Sequence, residues 1–143
     1  MNVTRSRISA IIALVTFPGI APAQEPLSEA DLRSAYCVPV LQWEIAQVQR
    51  GGDREVLEKL SSALNRVQAY LRPRMSQLDP TALAQAQNRA RDDVQGLQTG
   101  LQCTVNCASK NPTETAAAAC TKSCMDTAIL ARMGACEVAS WVP

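Results

Sequence analysis

Histidine is absent from the 143-residue chain. Without it, neither a Ser-His-Asp nor a Cys-His nucleophile can be assembled. No glycine-rich phosphate loop or dinucleotide fingerprint occurs, and no CxxCH marks haem attachment. Asp92 and Asp93 are adjacent carboxylates, but neighbours on a helix point about 100° apart, so they read as a solvated face rather than an acid/base pair. The usual catalytic chemistry has nowhere to reside, and a non-enzymatic protein is expected. A basic surplus is lacking too: 14 Lys and Arg stand against 13 Asp and Glu. Six basic side chains fall between Arg50 and Arg74, but Asp53, Glu55 and Glu58 are interleaved, the pattern of a solvated helix face. Neither nucleic acid nor an anionic lipid surface is an expected partner.

Long apolar runs are missing apart from the first residues. Arg5 and Arg7 form a basic segment, Ile8 to Ile20 a short apolar one interrupted by Pro18, and Ala21-Pro22-Ala23 the small residues of a cleavage site. This is a secretory signal over 1–23 with a cut between Ala23 and Gln24. The remaining 24–143 is expected to form a single helical domain without membrane insertion. Losing Arg5 and Arg7 leaves 12 basic against 13 acidic residues, a formal net charge of −1. A periplasmic or secreted location follows. The lack of an N-glycosylation acceptor in 24–143 leans towards a bacterial source.

Glycine is scarce and β-branched runs are absent, whereas Ala, Leu, Gln, Arg and Glu, good helix formers, dominate. Ser28 with Asp31 forms a capping box opening a helix over about 28–50, with apolar positions Leu32, Tyr36, Leu41, Ile45 and Val48 and a kink expected from Pro39. Gly51-Gly52 ends it. Asp53 caps a second helix whose Leu57, Leu60, Leu64, Val67 and Leu71 make a stripe, ended near Arg72-Pro73. Asp79-Pro80 starts a third, 80 to about 109, with Leu83, Ala90, Val94, Leu97 and Leu101 facing the core. Asn111-Pro112-Thr113-Glu114 starts a fourth, about 112–138, carrying Ile129, Leu130 and Met133. The expected fold is all-α: a disulfide-stapled bundle of about four helices with a C-terminal antiparallel helical hairpin.

Six cysteines survive signal removal: Cys37, Cys103, Cys107, Cys120, Cys124 and Cys136. An even number in a small exported protein reads as three disulfides. Cys103 and Cys107 share one face of the third helix, and Cys120 and Cys124 one face of the fourth. The short connection makes the two helices antiparallel. Opposed residues then have a constant index sum, which pairs Cys107 with Cys120 and Cys103 with Cys124. The same register sets Gly100 against Thr127 and Gly96 against Ala131, small residues that allow the close approach a disulfide requires. By elimination Cys37 pairs with Cys136.

The twin CxxxC hairpin from Cys103 to Cys124 resembles the small Tim chaperones of the mitochondrial intermembrane space, whose helices are clamped by an inner and an outer disulfide. The resemblance implies a shared stapling device for that hairpin. Four thiolates at this spacing offer an alternative, a copper or zinc site; thiol redox catalysis is disfavoured because neither CxxxC opens a helix. No cofactor is expected. Trp43 and Trp141 are the candidates for contact with a partner. The leading reading is an exported binding or structural protein of the cell envelope, of accessory or immunity type, whose partner is another protein. A small periplasmic chaperone is a further alternative.

Overall fold

A computed structural model describes residues 26–111 and 113–142. The signal segment and its cleavage site, together with Pro112, lie outside the described residues. Five helices follow in order: α1 Glu29–Val48, α2 Arg54–Leu71, α3 Pro80–Lys110, α4 Glu114–Lys122 and α5 Thr127–Val138. The fold is all-α, with the expected bundle and hairpin.

Each start is set by a side-chain cap. Ser28 and Asp31 close a reciprocal capping box on α1, and Asp53, Asp79, Thr113 and Asp126 accept first-turn amides at the other four helices. The α1 helix runs on through Pro39. It ends where Gly51 adopts φ 150° and where a Cβ on Gly52 would lie 2.5 Å from the Val48 side chain. These two positions admit only glycine without strain or displacement.

The long fourth helix expected over 112–138 is two helices. Asp126 Oδ1 accepts from the Ala128 and Ile129 amides at 2.8 and 3.4 Å, so Asp126 opens a new helix instead of continuing the old one. Ser123 closes α4, its hydroxyl donating to the Cys120 carbonyl at 2.7 Å. Both residues favour local side-chain to backbone bonds over helix interiors. The break re-aims α5 back towards α1, α2 and α3.

The core lies between α1, α2, the first half of α3, and α5. Leu41, Val40, Val67 and Leu78 are fully enclosed, joined by Leu60, Ala63, Leu71, Leu83, Ala90 and Met133. On α2 the deepest positions are Leu60, Ala63, Val67 and Leu71, with Leu64 half-buried. Its outer face carries the paired charges Arg54–Glu58 and Lys59–Glu55, both at 2.8 Å. The expected core position Leu101 is exposed, as are the apolar Leu32 and Leu130. Leu101 fails for a simple reason: α3 is 31 residues long and leaves the bundle before it ends.

No described helix is long and apolar enough to cross a membrane. Three disulfides, Cys37–Cys136, Cys103–Cys124 and Cys107–Cys120, fit an oxidising extracellular setting.

Candidate functional site

Two regions stand out, a stapled arm and a cavity in the bundle. The arm is the C-terminal half of α3 with α4. Two rungs join them, Cys103–Cys124 with Cα atoms 5.6 Å apart and Cys107–Cys120 with Cα atoms 5.7 Å apart. The rungs stack, the Cys107 and Cys124 sulfurs lying 3.5 Å apart. α4 approaches α3 and no other helix among the described residues, and none of its described residues is buried. Leu97, Leu101 and Val105 follow one another at i, i+4 along α3. Leu97 is half-buried against the core, Leu101 is 48 % exposed and Val105 61 % exposed. The apolar stripe that packs the bundle thus continues, uncovered, along the arm.

The sulfurs of Cys103, Cys107 and Cys124 lie within 4.8 Å of one another, close enough to share a soft metal ion. All six cysteines are bonded in disulfides, and it is the thiolate that ligates metal. As it stands the cluster is a clamp.

The small residues beside the rungs meet different partners from those the unbroken register pairs them with. A Cβ on Gly100 would lie 2.7 Å from the Cys124 carbonyl oxygen and 3.0 Å from the Met125 sulfur, and one on Gly96 would lie 2.9 Å from the Ile129 side chain. Neither Thr127 nor Ala131 takes the contact. The turn at 123–126 displaces everything after Cys124 from that register. Gly100 makes room for the turn itself, and Ala131 instead lines the cavity.

That cavity, about 630 Å³, opens between α1, α3 and α5. Its walls are alanines at matched i, i+4 positions, Ala82 and Ala86 on α3 and Ala131 and Ala135 on α5. Leucines there would fill the space. The Cys37–Cys136 bridge, Cα atoms 5.3 Å apart, ties α1 to α5, and Cys37 lines the cavity. Trp141 forms one side, its Nε1 donating to Ser34 Oγ at 3.1 Å and its ring under the Arg33 guanidinium at 5.8 Å. Trp43 is half-buried as well and lines a separate, shallower depression with Pro39 and Arg91. The two tryptophans therefore line different depressions.

Behind the cavity lies a buried charge network. Asp93, 6 % exposed, accepts from Arg132 Nε and Nη2, both at 2.8 Å, and from the Tyr36 hydroxyl at 2.7 Å. One side chain from each of α1, α3 and α5 meets here. The Arg132 hydrogen bonds hold the Asp93 carboxyl below its usual range, while burial and then Asp93 push the Tyr36 hydroxyl up. Asp93 is thus no solvated carboxylate. Only Asp92 faces solvent. The clue was in the spacing: Ala86, Ala90, Asp93, Leu97 and Gly100 step by four, three, four and three along one face of α3, which places an acid on the core stripe.

A second buried pair lies at the start of α1. Asp31 is fully buried and accepts from Arg74 Nε at 2.9 Å and from Ser28. Burial alone would raise its pKa, but the Ser28 and Arg74 hydrogen bonds outweigh it and hold the carboxyl at about 2. Glu44 behaves in the opposite way. Burial, helped by Glu137, raises it to about 7, and its Oε2, like the neighbouring Trp43 Nε1, is buried without a hydrogen-bond partner among the described residues.

Neither a protein-family model, nor a curated protein, nor a solved structure matches the chain.

Proposed function

We propose that this is an exported, non-enzymatic binding protein of the cell envelope, an accessory or immunity-type component, that engages another protein through its stapled arm. The observation that carries the reading is the run of Leu101 and Val105, exposed at i, i+4 on a helix that leaves the bundle. Anchors at that spacing seat a helix in a partner's apolar groove. Fully covering each is worth about 1.5–3 kcal/mol relative to full exposure. The two rungs pre-organise the arm, so little conformational entropy opposes docking. Three disulfides suit an oxidising compartment such as the periplasm.

The test is photo-crosslinking in the producing cell. A crosslinker placed at Val105 is expected to capture one protein partner. The product is expected to disappear with Leu101→Glu while circular dichroism stays unchanged. No product at 105, or the same product from a crosslinker at the exposed Glu58 of α2, would defeat the reading.

A further inference from the structure

The cavity between α1, α3 and α5 is separate from the arm and has chemistry of its own. Its walls are apolar and small, Ala82, Ala86, Ala131 and Ala135, with Leu32 exposed beside them. Its charged lining is of one sign: Arg33, Arg89 and Arg132, and no Asp or Glu. Two of these cations are already committed. Arg132 is held bidentate by Asp93, and Arg33 pairs with Glu29 on the surface. Arg89 makes no direct salt bridge among the described residues, although its charge reaches Asp93. Asp93 is already held bidentate by Arg132, so the Arg89 guanidinium keeps its hydrogen-bond donors open at an apolar hollow. The Arg33–Glu29 pair is solvent-exposed on both sides, and exposed pairs of this kind exchange partners at little cost. A volume of about 630 Å³ falls in the range of small-ligand sites, which are mostly apolar with a few polar groups that fix orientation.

We propose that this cavity binds a small amphipathic anion, a single carboxylate on an apolar chain. The chain lies between the alanine walls of α3 and α5 against Trp141, and the carboxylate meets Arg89 with Arg33 beside it. The preference over cationic or neutral amphiphiles comes from the all-arginine charged lining. The buried Asp93 carboxylate does not repel the ligand, because Tyr36 and Arg132 cover and neutralise it. The Cys37–Cys136 bridge keeps α1 and α5 at fixed separation on either side, so the hollow persists when empty.

Isothermal titration of the exported protein with sodium decanoate tests this, with decyltrimethylammonium as the cationic control. Saturable one-to-one binding of decanoate is expected, and none of the cation at the same concentrations. Ala135→Phe, which fills the cavity from an exposed position, should abolish binding. Arg89→Gln should weaken it about ten-fold, the loss of one charge-assisted contact. If Ala135→Phe does not fold, Leu32→Gln serves in its place and should also weaken binding. Leu101→Glu on the arm should change nothing, which separates this site from the proposed protein-binding surface. Absent or non-saturable decanoate binding, equal binding of the cation, binding of an acidic peptide but not decanoate, or affinity unchanged in Arg89→Gln would each overturn the proposal.

Discussion

The bundle and the arm are built from the same residue types but held together by different forces. In the bundle, four helical segments converge on enclosed leucines and valines, and two carboxylates are buried against arginines. In the arm, two helices meet along one line, and α4 buries nothing among its described residues. Two helices with a single contact line remove too little apolar surface from water to offset the entropy of ordering them. The arm therefore has two covalent rungs over one short hairpin. The bundle has one bridge, spanning 99 residues. Staples are densest where burial is poorest.

This contrast can be broken first at the disulfides. Replacing Cys37 and Cys136 together by alanine should destabilise the bundle by up to about 4 kcal/mol, since the bridge closes a long loop, and the midpoint of urea unfolding reads this directly. Removing both rungs should leave that midpoint nearly unchanged while hydrogen exchange in α4 becomes fast. A global loss of stability on rung removal would show that arm and bundle fold as one unit.

Next in size is Arg132→Met. It leaves the buried Asp93 carboxylate without its ion-pair partner and with only the Tyr36 hydrogen bond and the nearby Arg89 charge, a change that costs about 2–3 kcal/mol once the partial exposure of Arg132 is allowed for. Adding Asp93→Leu should restore much of the loss, because exchanging the whole pair for apolar groups is far cheaper than halving it. Denaturant titration of the single and double variants checks both statements.

Gly100→Ala probes the junction of the two regions. Helix propensity favours alanine by about 0.8–1 kcal/mol, but the new methyl would sit 2.7 Å from the Cys124 carbonyl. Backbone displacement at a packed site costs about 1–3 kcal/mol, so a net loss of about 1 kcal/mol is expected in thermal unfolding. A gain would mean that the turn at 123–126 shifts freely.

The smallest effect depends on pH. Glu44 has its carboxyl raised to about 7 in the fold, above the ordinary value of 4.5. Its burial therefore stabilises the fold relative to the ionised state below that ordinary value, and the benefit is lost as pH rises through 7. Glu44→Gln should gain about 1 kcal/mol over the parent at pH 8 and nothing near pH 4. Asp31, held at about 2, works in the other direction. Its contribution is present above pH 4 and lost as pH falls towards 2 in acid titration of the fold.

Several features were legible without coordinates because they are local. Capping residues at Ser28, Asp53 and Asp79 mark helix starts wherever the chain goes. CxxxC puts two sulfurs on one face of any helix, and a short connection makes helices antiparallel, so the Cys103–Cys124 and Cys107–Cys120 pairings followed from helical geometry, and Cys37–Cys136 from elimination. The α2 stripe obeyed the same periodicity. Asp126 lies inside what reads as one continuous helix, and only the structure shows that it caps a new helix where the chain turns. What tertiary structure decided is non-local. Whether Leu101 is core or surface depends on where α3 leaves the bundle. Whether Asp93 is solvated or buried depends on Arg132 arriving from a helix re-aimed by that turn. The cavity exists because alanines on two helices far apart in sequence face each other. Periodicity tells which side of a helix is apolar, but it carries no information about what lies opposite.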